Sequence, residues 1–298
     1  MSSSVKTCAI SGASGFIGGN IASLLSNQGW KITELGRRPS SAQTAPKTDP
    51  SNKFIHWNFN EPISLEGAPP FDLFVHCAWD MTLSSWDENY DRNVRGSLAL
   101  AEQLLPLSQR AIFISTMSSF EGAQSVYGRS KLLVERWFID RGAFVVRPGL
   151  VLGKNSGGMV GALSRIARLS PIIPIPGNGR QKFFTCQIED LCSLILYLAN
   201  CDRPQPGTPN QNIFTAANSN SIEFKDLLAR LGKADHGRTP IFIPVPWRPI
   251  YWGLKAAEEM GLKIRIKSDS LLSMMTPNPN PDLTTLKALP LTFKPPTF

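Results

Sequence analysis

The sequence predicts an α/β fold: a doubly wound parallel sheet (Rossmann fold) with a smaller, mixed C-terminal lobe. Three observations predict it. Strand-like apolar runs alternate with helical patterns from Val5 to Val146. The first run leads through Gly12-Ala13-Ser14-Gly15-Phe16-Ile17-Gly18 into a helix. Beyond residue 150 the chain turns glycine- and proline-rich. Such alternation folds as βαβ units, because parallel neighbours need a crossover helix.

Val5 to Ser11 is the first strand, β-branched and apolar. Ile17, Ile21, Leu24 and Leu25 then recur at helical spacing as far as Gly29, placed as the C′ residue. Strand, glycine turn and helix are the context of a phosphate-binding turn. Gly12 would make the tight turn, Gly15 would let a pyrophosphate approach the backbone, and Gly18 would let helix pack on strand. The helix N-terminus adds free amides and a positive dipole end.

Trp30 to Leu35 is the second strand, followed by Gly36-Arg37-Arg38-Pro39 and a loop over 39–52. An acidic residue after this strand would accept hydrogen bonds from an adenosine ribose 2′-hydroxyl and repel a 2′-phosphate. None stands at the tip; Glu34 lies within the strand. A guanidinium can hold a phosphate through two parallel charge-assisted bonds. Arg37 and Arg38 therefore predict NADP(H) over NAD(H), the alternative being two solvated loop charges.

Phe54 to Trp57 is the third strand, ending at Asn58-Phe59. Phe71 to Ala78 is a near-continuous apolar run, as in a strand buried on both faces. A helix over Ser85 to Leu105 carries Asn93 and Gly96 and stops at Pro106. Ala111 to Ile114 is the fifth strand, and Ala143 to Val146, closed by Arg147-Pro148-Gly149, the sixth. Ile188 to Ala199 reads as an apolar helix and Asn212 to Ala216 as an edge strand returning to the sheet. Gly153 to Gly161 is glycine-rich, and Ser170 to Gly179 proline-rich and irregular. The expected division is a dinucleotide-binding domain over 1–150, with 180–217 returning to it, and a substrate lobe from 151–179 and 218–298.

The chemistry gathers after the fifth strand. A hydroxyl cluster, Ser115, Thr116, Ser118 and Ser119, is followed by Tyr127 and Lys131 at the head of a helix. Four residues apart, phenol and ammonium share one helical face. The ammonium would favour the phenolate and lower its pKa, and a hydroxyl would orient it. That arrangement suits taking a proton from an alcohol as hydride leaves, or the reverse. Tyr-x-x-x-Lys occurs on many helices by chance; the strand–glycine–helix pattern gives it weight.

Composition excludes other classes. With 298 residues and 42% hydrophobic composition the chain can bury a large core. The net charge of +8 is dispersed, without a basic tail, so nucleic acid is not expected. The alternating Lys263-Ile264-Arg265-Ile266-Lys267 reads as a solvated face. Five cysteines without CxxC spacing read as reduced thiols, and three histidines in no ligand spacing predict no metal site. No apolar run of membrane-spanning length and no signal segment stand out, so a cytoplasmic protein without stable membrane insertion is expected.

Gly12, Gly15 and Gly18 with Tyr127-x-x-x-Lys131 resemble the short-chain dehydrogenase/reductase superfamily, in its extended or atypical branch, the NAD-dependent epimerase/dehydratase group. Val75 to Ala78, Asn93 to Gly96, Val145 to Gly153 and Gly177 to Leu191 add to the likeness; the last resembles the stretch that closes over a nucleotide-sugar. The resemblance implies that Tyr127 is the acid/base and that Lys131 lowers its pKa and binds the nicotinamide ribose. Gly12, Ser14, Gly15, Phe16 and Ile17 would hold the pyrophosphate. Asn58 and Phe59 would flank the adenine, where the family usually has Asp and an apolar residue. Ala78 and Asn93 would line the cofactor channel, and Pro148 would lie near the nicotinamide. The hydroxyl partner is Thr116 counted from the strand; counting back from Phe120-Glu121-Gly122 gives Met117, with Ser118 the nearest substitute. The gap from Thr116 to Tyr127 is shorter than in nucleotide-sugar enzymes. A homodimer through a two-helix face is also implied.

Three functions fit this reading. One is an NAD(P)-dependent epimerase, dehydratase or keto-reductase of a nucleotide-sugar. Another is an NADP-dependent reductase or dehydrogenase of an apolar ring alcohol or ketone, for which Ile241 to Leu254 would suit a pocket, unless that segment is core or a dimer face. The third is a catalytically silent dinucleotide-binding regulator or assembly subunit.

Overall fold

The computed structural model describes residues 5–40, 52–59, 61–65, 70–154, 156–169, 171–203, 206–207, 209–236, 239–262, 264, 266–287 and 289–298. Most of the 39–52 loop, Lys263 and Arg265 therefore lie outside the described residues.

Seven parallel strands form the central sheet: β1 (Thr7–Ser11), β2 (Lys31–Gly36), β3 (Lys53–His56), β4 (Phe71–His76), β5 (Ser108–Ile114), β6 (Phe144–Pro148) and β11 (Ile213–Ala216), in the order β11-β6-β5-β4-β1-β2-β3. Helix α1 (Phe16–Asn27) packs on one face with α6 (Ile188–Leu198); α3 (Gly96–Leu104) and α4 (Val126–Ile139) cover the other. Phe71, Leu73, Phe74 and Val75 are buried, the two-sided burial that a continuous apolar run predicts. The strand order reverses between β1 and β4, and ligands of open α/β sheets bind at the carboxyl ends of strands flanking such a switch.

The fourth crossover departs from one long helix. Short α2 (Trp86–Asn89) runs into a π-helical turn, Tyr90–Arg95, before α3, and a 3₁₀ turn, Leu105–Leu107, closes it. Single π turns widen a helix locally and mark functional positions; this one carries Asn93.

A third core lies beyond the sheet. It joins β7 (Leu150–Leu152), α5 (Gly158–Leu169), β8 (Ile172–Pro176), the short β9 (Lys182–Phe183), β12 (Ile222–Glu223) and α8 (Phe224–His236), while the short β10 (Thr185–Gln187) pairs with β7 but buries Cys186 in the core on the α1 side of the sheet. The short α7 (Pro209–Asn212) precedes β11. After α8 come β13 (Ile241–Val245), α9 (Trp247–Glu259), α10 (Ser268–Met275) and α11 (Thr284–Lys287). One sequence expectation is corrected here. The proline-rich stretch over 170–179 is not irregular throughout, because Ile172–Pro176 pairs in parallel with β13. Prolines are tolerated in this two-stranded edge because half of each strand's amides face away from any partner. Helix α5 emerges from a glycine-rich stretch whose early glycines masked the later period of Val160, Leu163 and Ala167, all buried.

Candidate active site

The glycine turn closes on the end of β4. Gly12 has φ +76°, and a Cβ there would stand 2.8 Å from the Ala78 nitrogen and 2.9 Å from its Cα. Only glycine combines that left-handed backbone with so close an approach. Gly15 caps α1 without any side-chain hydrogen bond, so the first amides of the helix are free of a capping oxygen. Gly18 packs against the Gly12 carbonyl. Ser14 is half-buried in the same turn. Beneath it, Ser11 Oγ accepts from the amides of Cys77 (3.2 Å) and Ala78 (3.3 Å) and lies 2.6 Å from His76 Nδ1, while His76 Nε2 reaches Ser97 Oγ at 2.8 Å. Burial pushes His76 down to about 3, with the Lys131 charge adding to the shift, so it is a neutral strut.

Lys131 is buried, 2% exposed, with Nζ donating to the Ile114 carbonyl at 2.7 Å and lying 4.0 Å from the Trp79 ring and 4.6 Å from Phe113. Burial lowers it to about 7. The Tyr127 ring stands edge-on to Trp79, centroids 6.3 Å apart. Its hydroxyl is pushed up to about 12 by burial, against the Thr116 hydrogen bond, which lowers it, and the Glu135 charge, which raises it. The expectation that a neighbouring ammonium lowers the Tyr127 pKa is thus corrected. Burial dominates, and it disfavours the Lys131 charge as well.

The two candidate hydroxyls have different surroundings. Thr116 lies close enough to Tyr127 to work against the rise of its pKa, and its Oγ1 accepts from the Ser118 amide at 3.2 Å, whereas Ser118 Oγ accepts from Ser273 of α10 at 3.0 Å. Glu135, fully buried on α4, pairs with Arg147 at 2.5 Å and accepts from Ser115, locking the helix to β5 and β6. The amino end of α4 is held from elsewhere. Ser125 caps Gly128, and Asp269 of α10 accepts from the Val126 amide at 2.6 Å and the Tyr127 amide at 3.0 Å. Neither Asp269 nor Ser273 carries a motif; only their packing marks them.

A cavity of about 430 Å³ opens over Tyr127. Gly12, Gly15, Phe16, Ile17, Thr116, Ser118, Lys131 and Pro148 line it, so the structure brings these candidates together. Its walls beyond them are largely apolar, including Trp79, Met81, Leu83, Phe183 and Met274. Asn89 Oδ1 and Trp79 Nε1 are buried without a partner, and both residues line the cavity; the sequence reading passed over them. The other candidates stand apart. Asn93 is fully buried and does not line it: its Oδ1 accepts from the Asp80 amide (2.7 Å) and its Nδ2 donates to the Asp80 carbonyl (3.0 Å), clamping the loop that does. Ala78 backs the glycine turn. Asn58 and Phe59 follow β3; Asn58 donates to Glu61, and the Phe59 backbone packs where Gly96 leaves room. Arg37 and Arg38 are exposed after β2, while the buried Glu34 carboxylate accepts from the Ser40 amide (2.9 Å) and hydroxyl (2.5 Å). A larger cavity, about 920 Å³, is lined by Lys154, Arg165 and Arg168 among others and holds neither Tyr127 nor Lys131.

Among the described residues no cluster of His, Cys, Asp or Glu could hold a metal, and all five cysteines are free. Ile241 to Leu254 does not line the active cavity. No helix of the described residues is long and apolar enough to cross a membrane.

A glycine turn at the sheet's switch point beside a buried Tyr–Lys pair defines a dinucleotide-dependent site. The chain belongs to the NAD-dependent epimerase/dehydratase family, whose model matches residues 8–213. It is similar to a ceramide reductase of Caulobacter vibrioides, 28% identical over 179 residues, a match covering 56% of this chain and 53% of that protein. The chain thus matches about half the length of this curated relative. Among solved structures it is similar to UDP-glucose 4-epimerase of Thermotoga maritima with UDP-glucose (TM-score 0.65, 17% identity, covering 90% of this chain and 96% of that one). It also resembles dTDP-glucose 4,6-dehydratase of Bacillus anthracis in complex with NAD (TM-score 0.65, 16% identity, 91% and 95% covered).

Proposed function

We propose that this enzyme is an NAD(P)-dependent oxidoreductase that interconverts a ketone and a secondary alcohol on a predominantly apolar substrate. The observation that carries the reading is the wall of the cavity: Tyr127 faces a space bounded by Trp79, Met81, Leu83, Phe183 and Met274. The likeness to a ceramide reductase supports it.

The residues fit a nicotinamide dinucleotide. Gly12 and Gly18 leave no room for a Cβ where the turn must tighten, the amides at Gly15 have no capping side chain, and Lys131 has no carboxylate paired to it among the described residues. When bound, the nicotinamide supplies or accepts the hydride. Tyr127 stays a neutral phenol because its site is buried, and it donates its proton to the carbonyl oxygen as the alcohol forms. Thr116 then donates to the phenolate left behind. Lys131 would hold the nicotinamide ribose, and Asn89 Oδ1, buried without a partner beside the cavity, would accept from a hydroxyl of the ligand. Arg37 and Arg38, exposed where a ribose 2′-phosphate would lie, support NADP(H). The third core, with α10, acts as the substrate lobe.

A nucleotide-sugar substrate is the second reading, favoured by the solved relative that holds UDP-glucose and by Lys182 and Lys267 on the cavity lining, which could face a pyrophosphate. Turnover decides between them: reduction of a long-chain lipid ketone in detergent, followed by NADPH absorbance, against conversion of UDP-glucose. Turnover of the sugar nucleotide alone would overturn the first reading.

A further inference from the structure

The apolar surface that the active cavity does not use is concentrated in one stretch of the chain. Strands β8 and β13 pair with Ile172 opposite Ile241 and Pro174 opposite Ile243. The intervening Ile173 and Ile175 are buried in the third core. Their neighbours point the other way, because side chains alternate across a strand: Ile172 is 47% exposed, Ile241 65% and Ile243 50%. Helix α9 follows through Pro246. It carries two tryptophans, a tyrosine, an isoleucine and a leucine, yet none of its residues is fully buried. Trp252 is 62% exposed, and Met260 and Leu262 beyond it are 69% and 53% exposed. Exposed apolar side chains gathered in this way mark an interaction site.

The charges around the patch select the partner. Lys255 Nζ lies 5.4 Å from the Trp252 ring and the Arg248 guanidinium 5.9 Å from the Trp247 ring. From residue 241 to 267 the chain holds Arg248, Lys255, Lys263, Arg265 and Lys267 against two acids, Glu258 and Glu259. Glu258 is already engaged by the Ser268 amide at 2.8 Å and hydroxyl at 2.7 Å. Protein interfaces are depleted in lysine at their cores. Tryptophan and aliphatic side chains interspersed with lysine and arginine are instead the make-up of a helix lying in a membrane interface. A chain of net charge +8 adds long-range attraction to anionic headgroups. Lys267, Asp269 and Ser270, next along the chain, line the active cavity.

We propose that the outward face of β13 and α9 docks on the surface of an anionic phospholipid bilayer and holds the mouth of the active cavity close to it. The contact is peripheral, with the helix lying in the plane of the headgroups. It stands apart from the choice of substrate, because an enzyme of either substrate class could dock in this way.

Flotation of the full chain with vesicles tests it. The protein should float with phosphatidylcholine vesicles in which roughly a third of the lipid is phosphatidylglycerol, float far less with phosphatidylcholine alone, and be released in part by molar salt. Trp252→Glu and Ile241→Glu, at exposed positions, should each weaken binding about tenfold, with circular dichroism and thermal midpoint unchanged. Substrate turnover in detergent should stay at the wild-type level. Wild-type protein that stays at the bottom of the gradient with anionic vesicles would overturn the proposal. So would undiminished flotation of the Trp252→Glu, Ile241→Glu double variant. Light scattering that finds a wild-type dimer and a monomeric double variant would assign the face to a second copy of this chain, and the bilayer proposal would fall.

Discussion

The parallel sheet and the third core bury their apolar residues in different ways. In the sheet, β4 is covered on both faces by helices, so Leu73, Phe74 and Val75 have no solvent side at all. In the third core, β8 buries Ile173 and Ile175, with Phe242 of β13 half-buried against the same core, and the pair leaves Ile172, Ile241 and Ile243 facing outward. The first arrangement yields a rigid edge on which Gly12, Thr116 and Pro148 hold their places. The second yields a wall whose outer side is open to a partner. Helix α4 joins the two: Glu135 ties its later turns to Arg147 of the sheet, and Asp269 of α10 ties its first amides to the lobe. The comparison teaches that Tyr127, the proposed proton donor, is positioned from both sides.

The largest effect should come from the sheet-side chemistry. Tyr127→Phe should lower kcat by about 10²-fold or more, the scale of general acid–base catalysis, while the dissociation constant for the cofactor, read by fluorescence, changes little. Retention of most turnover would show that another group moves the proton. Next, Thr116→Val should cost roughly tenfold in kcat, about 1.4 kcal/mol, and Ser118→Ala much less, because Thr116 stands beside the Tyr127 hydroxyl and favours its phenolate while Ser118 bonds Ser273. A loss confined to the Ser118 variant would reverse the two assignments.

The lobe side is tested by Asp269→Ala, which leaves two helix-capping amides without their acceptor. Loss of a cap costs about 0.5–2 kcal/mol. We expect a fall of that size in stability by denaturant titration, and a several-fold fall in kcat with cofactor affinity preserved. Asp269→Glu should restore part of the turnover. If turnover is unchanged in Asp269→Ala, the lobe does not position Tyr127 and the comparison loses its joint. The last test leaves turnover aside and concerns the far end of the cofactor: Arg37→Ala should reduce a preference for NADP(H) over NAD(H) by about tenfold, some 1.4 kcal/mol. A preference that survives there and vanishes in Arg38→Ala would move the contact by one residue.

What the sequence determined by itself is local. The strand–glycine–helix beginning at Gly12, the six-strand alternation with its returning edge strand, and the Tyr127–Lys131 spacing are all carried by residues near one another in the chain, where periodicity and glycine chemistry are legible. Tertiary structure decided the rest. Whether Thr116 or Ser118 meets Tyr127 depended on how a short turn folds after β5. The raised pKa of Tyr127 came from burial, which a pair at i, i+4 does not encode. Asn93 proved to hold the Asp80 backbone through a π-helical turn that no apolar period announces. Asp269 reaches Val126 across 143 residues, and a hydrogen bond between elements so distant leaves no pattern in sequence. It exists because α10 packs on α4, and only the packed chain brings that carboxylate to those amides.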